Sequence, residues 1–259
     1  MTAADGEGSG RLVWITGASS GIGAALAQAM AAAGWRVAAS ARGADALAGL
    51  AAAVPAIRPY PLDIADGAAC EAAVARIEAE LGPIDVAVLN AGTHLPMGAA
   101  DFDAERFAAL VEVNLLGTAR SLAPVMRRMI ARGRGRIAVV ASVAGYSGLP
   151  TAAAYGATKA ALVNMAEALR PELAAAGVTL QLVSPGFVRT PLTDRNPFPM
   201  PFLMPVDVAA RRLLRGLEGG RFEIVFPRRL AWALKLLRIL PYRLYFPLVR
   251  MATGVGRQR

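Results

Sequence analysis

Seven short apolar stretches punctuate the chain, and helical patterns fill the gaps between them. "RLVWIT" (11–16), "WRVAAS" (35–40), "AIRPYPL" (56–62), "IDVAVLN" (84–90), "GRIAVVAS" (135–142), "VTLQLVSP" (178–185) and "RFEIVFP" (221–227) read as strands. Helical patterns run from Gly21 to Ala33 and over 66–81, 101–131 and 152–176. Strands buried on both faces lose the in–out alternation and become continuous apolar runs, as these are. Repeated strand–helix units of this kind predict an α/β fold, a parallel sheet with helices on both faces. Ligands of such sheets bind beyond the carboxyl ends of the strands. The chemistry is therefore expected just after Thr16, Ser40, Leu62, Asn90, Ser142 and Ser184.

With 259 residues, 55% of them hydrophobic, one domain with a substantial core is expected. It spans residues 11–226, with no internal repeat or linker. The polar, glycine-rich start (1–10) lacks the basic and apolar regions of a signal peptide and reads as a short flexible lead. No apolar run reaches transmembrane length, so a cytoplasmic location is expected. A single cysteine, Cys70, forbids an intramolecular disulfide, and a single histidine, His94, argues against a zinc or multi-histidine centre; no metal is expected. The net charge is +9, but eight uncompensated basic residues lie between Pro227 and the end. The body is nearly neutral, which argues against a nucleic-acid surface there.

"TGASSGIG" (16–23) follows the first strand and opens the first helix. Gly17, Gly21 and Gly23 let the backbone turn tightly and approach a pyrophosphate. The N–H groups around Ser19, Ser20 and Ile22 sit at the positive end of that helix. The spacing G-x-x-x-G-x-G differs from the commoner G-x-G-x-x-G fingerprint. At the end of the second strand, an acidic residue suits the ribose 2′-OH of NAD and an arginine suits a 2′-phosphate. Here Ala41 and Arg42 follow Ser40, so NADP(H) is favoured over NAD(H), with Arg42 as a bidentate partner and Ser40 as a further donor. Asp63, with Ile64 beside it, is placed to meet an adenine amino group. Asn90, Ala91 and Gly92 form a small-residue wall beside the ribose. Pro185 and Gly186 lie near the nicotinamide, with Val188 and Thr190 following.

Only two of the 28 basic residues are lysines, and one of them ends the stretch "YGATK" (155–159). Tyr155 and Lys159 are four residues apart, on one face of a predicted helix. A free tyrosine, with a pKa of ~10, is a weak base at neutral pH, and a nearby ammonium should lower that value. Taken in order, "TGASSGIG", "NAG" (90–92), "VNLLG" (113–117), "VAS" ending at Ser142, "YGATK" and "SPGFVRT" (184–190) resemble the short-chain dehydrogenase/reductase family, over roughly residues 11–226. The resemblance implies a Rossmann-type doubly wound sheet in the order 3-2-1-4-5-6-7. It also implies an oxidoreductase that interconverts a carbonyl and an alcohol by hydride transfer. Its tetrad falls on Asn114, which holds a water in a proton relay; Ser142, which hydrogen-bonds the substrate oxygen; Tyr155, the general acid/base; and Lys159, which binds the nicotinamide ribose and tunes the tyrosine.

His94, Val143, Phe187, Phe198 and Phe202 are the candidate substrate contacts. The last two lie in a proline- and methionine-rich segment at about 190–205, which the resemblance makes a lid. Its apolar side chains suit a hydrophobic, lipid- or steroid-like substrate. A 3-oxoacyl-thioester reductase is an alternative, and a non-catalytic NADP-binding interaction protein is a rival of another class. A homodimer through the long helices is the expectation that comes with the family. The extension 227–259 departs from the commonest members. Arg228, Lys235 and Arg238 share one helix face, and Pro241 and Pro247 should break the pattern. This segment could lie on an anionic membrane surface, through 228–251, or pack on the body, pair with a second subunit, or clamp the substrate mouth.

Overall fold

The structure, a computed structural model, describes residues 10–195 and 200–255. Seven strands form a single parallel sheet: β1 (Leu12–Thr16), β2 (Arg36–Ser40), β3 (Ile57–Pro59), β4 (Val86–Leu89), β5 (Gly135–Val140), β6 (Val178–Pro185) and β7 (Glu223–Phe226). Their order is β3-β2-β1-β4-β5-β6-β7, as expected. The strand alternation distributes side chains between two cores. Leu12 and Trp14 of β1 enter one and Val13 and Ile15 the other.

Helices cover both faces. α1 (Gly21–Ala32), α2 (Ala44–Ala53) and α7 (Val206–Glu218) pack on one, through Leu26, Met30, Leu47, Leu213 and Leu217. α3 (Gly67–Leu81), α5 (Gly117–Ala131) and α6 (Ala153–Ala175) pack on the other, through Val74, Ile77, Val125, Met129 and Leu162. Cys70 is buried in α3, a small apolar side chain among these. The result is the three-layer α/β sandwich that two-sided burial of parallel strands requires.

Two elements differ from the sequence expectation. The third strand is only three residues long. Pro59 and Pro61 have no N–H to donate, so beyond it only Tyr60 and Leu62 still bond the neighbouring chain, at Ala39 O (2.8 Å) and Ala41 O (3.0 Å). Such a proline-marked strand belongs at a sheet edge, where β3 lies. The helix expected over 101–131 is not continuous. Asp103 caps α4 (Ala104–Val111) by accepting from Arg106 N at 2.8 Å, and a π turn (Glu112–Leu116) separates α4 from α5. Asn114 lies in that turn, and π turns inside helices are frequent at functional sites.

Beyond β7 the chain forms α8 (Arg228–Arg238) and α9 (Tyr242–Thr253). Pro241 separates them, but Pro247 does not break the pattern: it sits inside α9 and costs it one ladder donor. α8 packs on the body. Its buried Ala231 and Leu234 meet Val143, Tyr146 and Leu149. Lys235 pairs with Glu223 of β7, which also accepts from the Tyr146 hydroxyl.

Candidate active site

The turn after β1 carries the glycine-rich loop, and its glycines are required by space. A Cβ on Gly23 would sit 2.2 Å from Gly17 O and 2.6 Å from Asn90 Nδ2. Gly17 and Gly21 have φ of +68° and +54°, and a Cβ on Gly17 would lie 2.7 Å from Ala91 Cα. Only glycine meets both demands without strain. The loop is braced from β4. Asn90 Nδ2 donates to Thr16 O (3.0 Å) and Gly17 O (3.3 Å), while Thr16 Oγ1 accepts from the main-chain N–H groups of Asn90 (3.0 Å) and Ala91 (3.1 Å). Asn90 thus holds the loop as well as walling the site. Ser20 is the N-cap of α1, leaving the first N–H groups of that helix, at Gly21 to Gly23, without intrahelical partners. A bare main chain at a helix N-terminus is a fitting cradle for a pyrophosphate.

At the end of β2, Arg42 is exposed. Ser40 does not fit the role expected of it. It is 1% exposed, and its Oγ accepts from Trp14 Nε1 at 3.0 Å. Its side chain is turned into the sheet layer by the strand alternation. Asp63 is exposed after β3, and Ile64 beside it is buried beneath Gly117.

The tetrad candidates converge beyond β4 and β5. Asn114 is fully buried and pinned on three sides. Its Oδ1 accepts from Thr93 N (2.7 Å), and its Nδ2 donates to Thr93 O (2.9 Å) and Thr158 Oγ1 (3.2 Å). It ties the loop after β4 to α6. Gly92 lies between Asn114 and Lys159: a Cβ there would be 3.2 Å from Asn114 Oδ1 and 3.5 Å from Lys159 Nζ. Ser142 begins a short 3₁₀ turn (Val143–Gly145). Its Oγ accepts from Ala144 N (3.2 Å) and donates to Pro185 O at 3.3 Å, a long bond for a hydroxyl and readily exchanged. Gly145 lets that turn rest on α6, because a Cβ there would meet the Lys159 carbonyl carbon at 2.8 Å.

Lys159 is 4% exposed, and its Nζ donates to Val140 O at 2.9 Å and lies 5.6 Å from the Tyr155 ring centre. Burial lowers its pKa to about 8. Burial also raises that of Tyr155, with a Ser142 hydrogen bond pulling the other way. The sequence expectation of a depressed tyrosine is therefore corrected for the protein by itself. Desolvation disfavours the phenolate, and the same burial weakens the ammonium that was to lower it.

An open cleft with a volume of about 110 Å³ gathers these groups: Asn90, Gly92, Ser142, Tyr155, Lys159, Pro185, Gly186, Val188 and Thr190 all line it. Ile22 from the glycine loop lines it too, as do Val140 and Ala141 of the motif that ends at Ser142, and Leu192 and Thr193, which no motif contained. Thr193 has a clear structural role: its Oγ1 donates to Val188 O at 2.7 Å and accepts from Thr190 N at 3.0 Å, folding the chain back on itself beside the cleft. No sequence motif announces a hydroxyl that closes a local turn.

The substrate candidates are scattered. His94 does not stand on an exposed rim; it is buried edge-on against the Tyr155 ring, centroids 4.6 Å apart. Val143 is buried toward α8. Phe187 is half-buried and its carbonyl accepts from Met204 N. Phe202 is 54% exposed at φ +59° and does not line the cleft, and Phe198 lies outside the described residues. Among the described residues no cluster of His, Cys, Asp or Glu is placed to hold a metal ion.

Comparison with known proteins agrees with this geometry. Residues 11–197 match the family model described as short chain dehydrogenase. An uncharacterized oxidoreductase of Myxococcus xanthus (strain DK1622) is 37% identical, covering 92% of this chain and 96% of its own. An acetoacetyl-CoA reductase of Shinella zoogloeoides is 37% identical over 72% of this chain and 78% of its own. A short chain dehydrogenase from Burkholderia cenocepacia J2315, solved in complex with NADP, has a TM-score of 0.81 at 28% identity, covering 93% of this chain and 98% of its own. A relative from Burkholderia phymatum, solved with NAD, has a TM-score of 0.79 at 25% identity over 88% and 92%.

Proposed function

The chain belongs to the short-chain dehydrogenase family, oxidoreductases acting on CH–OH groups with a nicotinamide dinucleotide, and from that premise we propose that it is an NADP(H)-dependent reductase of an apolar ketone or aldehyde. The observation that carries the reading is the convergence of Ser142, Tyr155 and Lys159 on one cleft beside the glycine loop. NADPH, when bound, supplies the hydride. The chain does the rest. Gly17, Gly21 and Gly23 cradle the pyrophosphate, Arg42 meets the 2′-phosphate and Asp63 the adenine. Lys159 keeps two of its three N–H donors for ribose oxygens after bonding Val140 O.

Ser142 exchanges its long bond to Pro185 O for one to the substrate oxygen, where negative charge develops. Tyr155 Oη gives its proton to that oxygen. A tyrosine whose pKa is pushed up by burial holds the proton at neutral pH, which suits the acid in the reducing direction. Asn114 fixes the π turn and the loop at Thr93, so the walls of the cleft stay in register. Support for an apolar substrate comes from Ile22, Val140, Val188 and Leu192, which line the cleft. Support for subunit pairing through α5 comes from Leu116 and Ile130, which stay exposed beside and along it.

Tyr155→Phe tests the reading. Turnover in an NADPH-oxidation assay with ketones, aldehydes, steroids and keto lipids should fall by about 10²–10⁴, while NADPH binding stays near wild type. Undiminished turnover would end the mechanism. Turnover confined to acetoacetyl-CoA and its relatives would replace the substrate class with an acyl thioester.

A further inference from the structure

The last two helices both expose large apolar side chains and arginines. On α8, Arg229, Trp232, Leu236 and Ile239 follow steps of three and four residues, one stripe of a helix. Trp232 is 71% exposed, Leu236 62% and Ile239 76%. The other side of α8 is already occupied, because Ala231 and Leu234 are buried against Val143 and Tyr146. The stripe is therefore not a core face awaiting the body. On α9 only Tyr245 and Val249 are buried. Tyr242, Leu244, Phe246, Leu248 and Met251 remain exposed, with the Tyr242 and Phe246 rings stacked at 5.4 Å.

The charged side chains of α8 and α9 all have one sign. Arg228, Arg229, Arg238, Arg243 and Arg250 are exposed, and the sequence holds no carboxylate side chain after Glu223. Glu223 is itself engaged by Lys235 and Tyr146.

We propose that the outer face of α8 and α9 docks on an anionic lipid surface, with the apolar and aromatic side chains at the acyl boundary and the arginines at lipid phosphates. A cationic helix with Trp, Phe and Leu on its apolar side lies in the interface plane. Arginines so placed gain from the negative surface potential of such membranes. A second copy of this chain is a poorer occupant. A two-fold contact would set arginines against arginines with no carboxylate between them. Crossing the bilayer does not arise for the described helices, none of which is long and apolar enough. The proposal concerns attachment and goes beyond the reaction; it stands whichever carbonyl is reduced.

Flotation of the full chain with vesicles tests it. The protein should rise with vesicles of phosphatidylcholine and phosphatidylglycerol, stay behind with phosphatidylcholine alone, and be released by high salt. Trp232→Glu with Leu236→Glu should reduce the bound fraction by about tenfold or more while the melting temperature and NADPH binding hold, because both side chains are mostly exposed and belong to neither buried cluster of the sheet. Arg238→Gln with Arg243→Gln and Arg250→Gln should weaken binding without removing it. Tyr155→Phe should float like wild type, which separates attachment from catalysis. Three results would overturn the proposal: no rise with the anionic vesicles, a Trp232/Leu236 variant that floats as well as wild type, or a variant that changes only the sedimentation of the free protein. The last would assign the face to a second copy.

Discussion

Replacing Lys159 by methionine should abolish turnover and yet make the cofactor-free protein more stable. The ammonium is 4% exposed, and burial lowers its pKa from 10.5 to about 8. A lysine whose folded pKa lies below its unfolded value destabilises the fold wherever it is charged. That cost is fully present below pH 8 and is relieved as the pH rises from there toward 10.5. Each pKa unit is worth ~1.4 kcal/mol, so the cost at pH 7 is about 3 kcal/mol. Methionine fills similar space without the charge, but it leaves Val140 O without the 2.9 Å bond from Nζ. An unpaired buried carbonyl costs about 1–3 kcal/mol, so the net gain at pH 7 is only about 1 kcal/mol. The decisive quantity is the pH dependence. Val140 O costs the same at every pH, whereas the lysine cost falls by about 2–3 kcal/mol between pH 7 and pH 10. Thermal or urea unfolding of the two proteins across that range should therefore show wild type gaining on the variant by that amount. For a chain of this size it corresponds to roughly 5–10 °C in relative melting temperature. A constant stability difference between pH 7 and 10, or a variant that is several kcal/mol less stable throughout, would refute the reading of Lys159 as a strained, cofactor-directed charge.

Arg42→Ala should weaken NADPH binding by tenfold or more and NADH binding little, as titration of nucleotide fluorescence would show; equal loss of both would remove the phosphate site from β2. Gly23→Ala should abolish binding of either nucleotide and lower stability, since its methyl group meets Gly17 O at 2.2 Å. Unchanged binding would mean the loop has slack the geometry denies. Ser40→Ala should cost ~1–2 kcal/mol in urea unfolding by stranding Trp14 Nε1, and leave the NADPH affinity alone; loss of affinity with unchanged stability would return Ser40 to the cofactor.

The strands of the sheet were legible because each rests on a local pattern, whereas the sheet order and the tetrad positions came with the family resemblance. A parallel strand buried on two faces is a continuous apolar run, and a residue just past its end must lie at the mouth of the sheet. What the pattern did not carry were contacts between distant segments. Nothing near Ser40 announces that Trp14, 26 residues earlier, donates to it. Asn90 was read as wall, but its role as brace depends on Thr16 lying alongside across the β1–β4 register. The π turn at Asn114 was invisible because helical periodicity runs smoothly through 101–131; one extra residue in a turn leaves no compositional mark. The tyrosine pKa was misjudged because helix spacing reports neighbours and says nothing of burial.

The two lysines now share an explanation that the arginines do not. Both are drawn onto the body, Lys159 to Val140 O and Lys235 to Glu223. A compact ammonium on a flexible stem reaches a single inward acceptor without the planar fork an arginine would have to accommodate. Lys235 also lies 5.0 Å over the Tyr146 ring, and Tyr146 donates to the same Glu223. Tyr146 directly follows the turn that begins at Ser142. This lysine therefore fastens α8 to the segment carrying the proposed substrate-oxygen donor. The arginines flanking it stay outside, and among the described residues none of them pairs with a carboxylate. Inward lysine and outward arginine divide α8 into a side that belongs to the cleft and a side that belongs to the proposed lipid surface. An apolar substrate held in that surface would be presented within one helix diameter, ~10 Å, of the turn that begins at Ser142.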